Sequence, residues 1–214
     1  MEISKRKLYF IGAGELAREI ESWISLDKAF LKQWEIVGFL DRNLNAIDKY
    51  PSDFKVIGVP ETFDFQLGDA AIMCVANPVI KKRIVEAISG KVELISYISN
   101  LAIVAKFSKI GKGSVICPNC IISTNCSLGQ YTTINCGSII GHDCTIDEYS
   151  SLMAHVDLGG HVKIGKNTFL GTKTTVIPGK SVNDNITIGA GSVVIRNLTK
   201  EGTYFGNPAN LLKF

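Results

Sequence analysis

Residues Ile134 to Ile164 read INCGSIIGHDCTIDEYSSLMAHVDLGGHVKI, with an aliphatic residue at every sixth position: Ile134, Ile140, Ile146, Leu152, Leu158 and Ile164. The register runs back without a slip through Leu128, Ile122, Ile116, Ile110 and Val104 to Ile98. It runs forward through Leu170, Val176, Val182 and Ile188 to Val194. A period of six fits neither a helix of about 3.6 residues per turn nor the two-residue alternation of a strand. It is a short repeat in which each aliphatic side chain points inward and stacks on its equivalents in neighbouring coils, so that burial is shared along a column. The fourth residue after each aliphatic one is mostly small (Ser114, Cys120, Cys126, Thr132, Ser138, Cys144, Ser150, Thr168, Thr174, Ser192), which suits a tight corner. The residue directly after it is often glycine (Gly111, Gly129, Gly141, Gly165, Gly171, Gly189), expected there to supply turn conformations closed to other residues. The pattern predicts a β-solenoid, an architecture that serves equally as a scaffold or as an enzyme.

The residues before the repeat read differently. A short apolar run, Lys7 to Ile11, ends in Gly12-Ala13-Gly14, and a helical pattern follows with Leu16, Ile20, Trp23 and Ile24 on one face. Further strand-like runs are Ile36 to Leu40, closed by Asp41, then Val56 to Val59, and Ala70 to Val75. Asn77-Pro78 opens a second helix, with Asn as cap, Pro in the first turn and Ile80, Ile84, Ala87 and Ile88 as the apolar face. Strands alternating with helices predict a small α/β domain with a parallel sheet. The segment Gly12-x-Gly14-x-x-Ala17 lies between a strand and a helix, the context in which a glycine fingerprint binds phosphate through backbone N–H groups. Asp41 at the end of the next strand is placed for a ribose hydroxyl. The domain is short for a dinucleotide, and the expected ligand is a nucleotide-sugar diphosphate held by Gly12, Gly14, Asp41 and Asn77. The expected boundaries are 1–90 for this domain and 91–214 for the solenoid with its tail.

The chain has 214 residues, 46% of them hydrophobic, which is enough for two modest domains. The net charge of +3 does not suggest nucleic acid. No apolar run is long enough to span a bilayer, and MEISKRKLYF lacks the apolar core of a signal peptide, so the expected location is the cytoplasm. Cys117 and Cys120 form a CxxC, but Cys120, Cys126 and Cys144 occupy the small-residue slot of the repeat. The expectation is free thiols serving as small hydrophobes, and no metal.

The long hexad series, preceded by the small α/β domain, resembles the hexapeptide-repeat acyltransferases, and among them the bacterial sugar acetyltransferases with an N-terminal Rossmann-like domain. That family includes sialic acid O-acetyltransferases and N-acetyltransferases of nucleotide-linked amino sugars. Gly206-Asn207-Pro208-Ala209 matches a common tail motif, and the resemblance covers essentially the whole chain. It implies a left-handed parallel β-helix of triangular section, three hexads to a coil and about five to six coils. One departure stands in the glycine loop, where family members carry Gly-Gly-His after the first Gly-Ala and this chain has Gly14-Glu15-Leu16.

Acetyl transfer from a thioester to an amine or alcohol needs a base working near neutral pH, and His is the usual choice. The chain has three histidines, His142, His155 and His161. His142, in Gly141-His142-Asp143-Cys144, matches the family's active-site segment, so the resemblance implies that His142 removes the acceptor proton and Asp143 orients and polarises its ring. A second family His falls at Ser151 here, and His155 and His161 are assigned no role. Asn135 matches a family Asn that contacts the acceptor. Coenzyme A in such enzymes lies in the groove between two solenoids of a homotrimer, and the matching positions are Gly160, Gly171, Thr172, Ala190 and Gly191. Lys173 and Lys180 are placed for its phosphates, and the Gly160 N–H for the oxyanion. The expected function is acetyl-CoA-dependent N-acetylation of a nucleotide-linked 4-amino-deoxy sugar for surface lipopolysaccharide, O-antigen or other glycan biosynthesis. The alternatives are O-acetylation of sialic acid or another surface-polysaccharide sugar and, from another class, a non-catalytic nucleotide-binding solenoid.

Overall fold

The computed structural model describes residues 5–213. They divide into two compact units, one formed by the residues up to Ala76 together with Ile80–Ile95, the other by Asn77–Val79 together with the residues from Ser96 onward.

The first unit is built on strands β1 (Arg6–Ile11), β2 (Trp34–Leu40), β3 (Val56–Gly58), β4 (Ala70–Met73) and β5 (Glu93–Leu94). They form one sheet of order β3-β2-β1-β4-β5, parallel at every pairing. The central strand β1 buries Leu8 to Ile11 as a continuous run, as a parallel sheet covered on both faces requires. Helix α1 (Glu15–Leu26) buries Leu16, Ala17, Ile20 and Ile24, with Trp23 half-buried at the margin. Asp27 starts the short helix α2 (Lys28–Gln33) by accepting the N–H groups of Ala29 and Phe30 at 3.1 and 3.0 Å.

Helix α3 (Pro78–Ile88) starts at the expected proline, but its buried face differs from the expected one. Lys81, Ile84, Val85 and Ile88 are buried, whereas Ile80 is 41% exposed and Ala87 is exposed. Lys81 is fully buried, and desolvation pulls its amine down to about 7. The inward stripe thus includes a lysine, which hydrophobic spacing does not report.

In the second unit two-residue strands recur every six residues and pair in parallel with strands eighteen residues away. Ile121 pairs Ile103 and Ile139, Ser127 pairs Lys109 and Thr145, and Thr133 pairs Val115 and Ser151. Three hexads therefore close one coil, and three parallel sheets form the faces of a β-helix. The aliphatic column from Ile116 to Val194 is 0–3% exposed throughout. Ile98 and Val104 depart from it at 42% and 37% exposure. They lie in the first coil and stack on a following coil only, Ile98 on Ile116 and Val104 on Ile122.

The small-residue slot does more than fit a corner. Ser114, Ser138 and Ser150 donate their hydroxyls, at 2.6 to 3.2 Å, to carbonyls fifteen residues on, those of Gly129, Met153 and Gly165. Cys126 and Cys144 make the same contact to Gly141 and Gly159. None of the six cysteines is in a disulfide, and Cys117 and Cys120 are buried.

The repeat glycines do not supply the left-handed turns expected of them. Left-handed backbone falls two residues further on, at Asn125, Asp143, His161 and their equivalents, with φ near 60°. At Gly141 the constraint is space: a Cβ would stand 2.7 Å from the Gly160 N and the Leu158 O of the next coil. These glycines let neighbouring coils approach, and their φ needs no glycine. The chain ends in an antiparallel pair, Gly202–Phe205 with Asn210–Leu211, joined through Gly206-Asn207-Pro208-Ala209.

Candidate active site

Each corner of the β-helix carries a ladder of left-handed turn residues spaced by eighteen. Asn125, Asp143 and His161 share one such ladder. His142 precedes Asp143 at that corner, and its carbonyl accepts the His161 N–H at 2.9 Å, which ties the two coils together. The His142 Nδ1 lies 2.7 Å from the Asp143 Oδ2. Asn125 donates its side-chain amide to the other carboxylate oxygen at 3.3 Å, from the coil before. His161 stands in the coil after, its Nε2 3.8 Å from the Asp143 Oδ2 and its ring edge-on to His142 at 5.0 Å. The hydrogen bond from His142, the amide of Asn125 and the nearby imidazoles hold the Asp143 carboxyl below the usual carboxylate range.

The ionised Asp143 fixes the tautomer of its neighbour. With Nδ1–H donated to the carboxylate, the His142 Nε2 carries the lone pair. That atom lies against Gly160, where a Cβ would stand 2.5 Å from both Cε1 and Nε2 of the ring. The side chains of His142 and Asp143 are 55% and 39% exposed, so a substrate can reach them.

The other expected residues fall at two places. Gly160 and Lys180 lie at the His142 corner, in the two coils beyond it; the Gly179 N–H bonds the Gly160 O at 2.9 Å. Gly171, Thr172, Lys173, Ala190 and Gly191 gather at a different corner, the one whose turn residues include His155 and Lys173. There Gly191 N bonds Thr172 O at 2.8 Å, and a Cβ on Gly171 would stand 2.6 Å from Ala190 N. Asn135 also sits at that second corner, its side-chain oxygen accepting the Cys136 N–H at 2.6 Å, so one chain does not bring it to His142. His155 packs over Gly137 there. Asn125 was not named from the sequence and His161 was given no role there, although stepping eighteen residues either way from Asp143 reaches them both.

In the first unit Gly12 has φ 98° at the end of β1, and a Cβ there would press on Val75. Gly14 caps α1 without a side-chain bond. Asp41 reaches back to this loop: its Oδ2 accepts the Ala13 N–H at 2.8 Å, and its Oδ1 accepts the Asn43 N–H at 2.8 Å. Each oxygen keeps a lone pair for a hydroxyl, but one loop N–H is already taken by a carboxylate. Asn77 groups with the second unit, apart from Gly12, Gly14 and Asp41. A cavity of about 340 Å³ that the sequence did not announce lies beside α1, lined by Arg18, Ser22, Ser25, Tyr50 and their neighbours. The Arg18 guanidinium sits 3.6 Å above the Tyr50 ring.

No protein-family model matches the chain. Over 148 residues it is 30% identical to GDP-perosamine N-acetyltransferase of Escherichia coli O157:H7, an alignment covering 66% of each protein, just short of two thirds of that enzyme's length. The acetyltransferase domain of PglB from Neisseria gonorrhoeae FA1090 superposes with a TM-score of 0.85 at 28% identity, over 97% of this chain and 100% of that domain. That domain has also been solved with acetyl coenzyme A. PerB from Caulobacter crescentus, solved with CoA and GDP-perosamine, shares the fold over 97% of both chains, with a TM-score of 0.84 at 21% identity.

Proposed function

Because the chain belongs to the hexapeptide-repeat β-solenoid acetyltransferases, we propose that it transfers the acetyl group of acetyl-CoA to the amine of a nucleotide-linked 4-amino-deoxy sugar, for surface-glycan biosynthesis, with His142 as general base. The observation that carries this reading is the 2.7 Å contact of His142 Nδ1 with Asp143, which leaves Nε2 of a half-exposed ring as the proton acceptor. The amine nitrogen attacks the thioester carbonyl as Nε2 takes its proton. The Gly160 N–H, beside that ring, is the donor for the oxyanion. Collapse of the tetrahedral intermediate breaks the C–S bond, and the imidazolium returns its proton to the departing thiolate. Cys144 is 1% exposed and its thiol is pushed up to about 11 by burial, which argues against an acetyl-cysteine intermediate.

The coenzyme groove is assigned to the junction of two solenoids in a homotrimer. Two corners would then meet, His142 and Asp143 with Gly160 and Lys180 from one protomer, and Gly171, Thr172, Lys173, Ala190 and Gly191 with Asn135 from its partner. An aliphatic stripe supports self-association: Ile103, Ile121 and Ile139 lie in register on one outer face at 61%, 40% and 45% exposure, and Ile139 is three residues from His142.

The N-terminal unit, within boundaries of 1–90, is read as a Rossmann-like domain for the nucleotide sugar, its five-stranded parallel sheet carrying Gly12, Gly14 and Asp41 at the ends of β1 and β2. The solenoid, 91–214, is read as left-handed. Among the described residues no helix is long and apolar enough to cross a membrane, and the reading places the protein in the cytoplasm.

A second reading is favoured by one observation. The Asp41 carboxylate on Ala13 N and Glu15 in the first turn of α1 put two acidic groups at the glycine loop, against a diphosphate. O-acetylation of sialic acid or another surface-polysaccharide sugar needs no nucleotide there. Thiol release from acetyl-CoA, measured with UDP-, dTDP- and GDP-linked amino sugars and with free sialic acid, separates the two. Release with none of them, in wild type, overturns both.

A further inference from the structure

His161 is the histidine that the proposed reaction leaves unused, yet it stands at the reacting corner. Among the described residues, His142, Asp143 and His161 form the one group of His, Cys and acidic side chains able to close on a metal ion, each offering a donor atom within 4.8 Å of the other two. The backbone presets the group. Asp143 and His161 occupy equivalent left-handed turn positions, φ 58° and 61°, one coil apart, and the His161 N–H bonds the His142 carbonyl. The two rings stand at 88° to each other, and all three side chains are 39% exposed or more.

We propose that this corner is a binding site for a borderline divalent transition ion, of which Zn²⁺ is the representative, and that the ion inhibits the enzyme. Two imidazoles and one carboxylate are the donor set of zinc sites with an open position, and they do not suit Ca²⁺ or Mg²⁺. A tetrahedral ion about 2.0 Å from each donor sets the donors about 3.3 Å apart. The present separations of 2.7 Å, from His142 Nδ1 to Asp143 Oδ2, and 3.8 Å, from His161 Nε2 to the same oxygen, bracket that value. All three donor atoms lie within 4.8 Å of one another, so closing on an ion calls for side-chain rotation about a backbone already in place.

Inhibition follows from the tautomer. The ion takes the His142 Nδ1 in place of the proton now shared with Asp143. The one proton of the neutral ring then resides on Nε2, which loses its lone pair and can no longer accept a proton from the acceptor amine. Only this inhibitory consequence rests on the proposed function; the metal site itself does not.

The test uses the full-length protein and its His161→Gln variant, titrated with Co²⁺ and followed by visible absorption, with Zn²⁺ displacement as a second step. Wild type is expected to bind one ion per chain with a ligand-field band and no thiolate charge-transfer band, and His161→Gln to bind about tenfold more weakly or worse. With each protein referred to its own metal-free rate, the Zn²⁺ concentration that halves activity is expected to rise in His161→Gln in step with the loss of affinity, and EDTA to restore the metal-free rate in wild type. Equal Co²⁺ affinity in the two proteins, or a thiolate band pointing to a cysteine such as Cys136, overturns the site. Co²⁺ and Zn²⁺ binding that depends on His161 but leaves the rate untouched upholds the site, overturns the inhibition and removes His142 from the mechanism.

Discussion

Gly160 lies directly beneath the imidazole of His142: a methyl group at its α-carbon would stand 2.5 Å from both Cε1 and Nε2 of the ring. One coil thus clears the space in which the imidazole of the coil before it stands. Gly160→Ala is therefore expected to push the imidazole out of its bond to Asp143 and to reduce kcat about tenfold or more, while the stacked core and melting temperature stay close to wild type. Steady-state kinetics beside thermal denaturation checks this. Wild-type kcat would show that the ring works from another rotamer.

His142→Asn should lower kcat/KM by about 100- to 10,000-fold with little change in stability, because the residue is exposed at a corner. Asp143→Asn should cost less, since an amide oxygen still accepts Nδ1–H but no longer stabilises the imidazolium. The order of the two losses is the measurement. A value for His142→Asn within threefold of wild type removes it from the mechanism.

Ile140→Lys places a charge in the column, at 0% exposure, where desolvation costs several kcal/mol. A melting temperature about 10 °C lower or more is expected, against almost no change for Lys163→Ala on the outer face. Equal melting temperatures would mean that the inward register is misassigned.

Asp41→Ala removes the acceptor of two backbone N–H groups, at Ala13 and Asn43, and should weaken nucleotide-sugar binding about ten- to a hundredfold. Coenzyme A affinity should hold, since its assigned residues lie on the β-helix. Gly12→Val should act in the same direction. Calorimetric titration of both variants with both ligands decides; unchanged nucleotide-sugar affinity would promote the O-acetyltransferase reading.

Lys81 titrates near 7 in the folded chain, below its unfolded value of 10.5, because burial penalises the charged amine. Between those values the unfolded chain binds more protons, so this residue makes stability rise with pH from about 7 to about 10.5 and has no further effect below 7. Lys81→Met should flatten that rise, as denaturant midpoints at pH 7 and 9.5 will show.

The β-helix was legible in the sequence because a hexad is a local unit. Each one repeats the same backbone turn, so the identity of its first residue says which side chain points inward, while three hexads to a coil came from the family resemblance and stand in the structure as strands paired eighteen residues apart. The glycine loop, the first four strands of the first unit and the His142-Asp143 pair were legible for the same local reason, being neighbours in the chain, whereas the two-residue β5 (Glu93–Leu94) carried no such signal. Other features depend on what lies across a coil or across the sheet, and only the tertiary structure decided them. Ile98 and Val104 carry the repeat's pattern yet stand exposed in the first coil, where they stack on a following coil only. Lys81 turned the face of α3 because burial answers to the surroundings of a position, and hydrophobic spacing does not report them. Gly141 is glycine for the backbone of the next coil, and its own φ would admit other residues. Asp143 gathers His142 from its own turn, Asn125 from the coil before and His161 from the coil after. That last grouping brings residues eighteen apart within bonding distance, and it exists only once the chain has closed a full turn and stacked it on the one before.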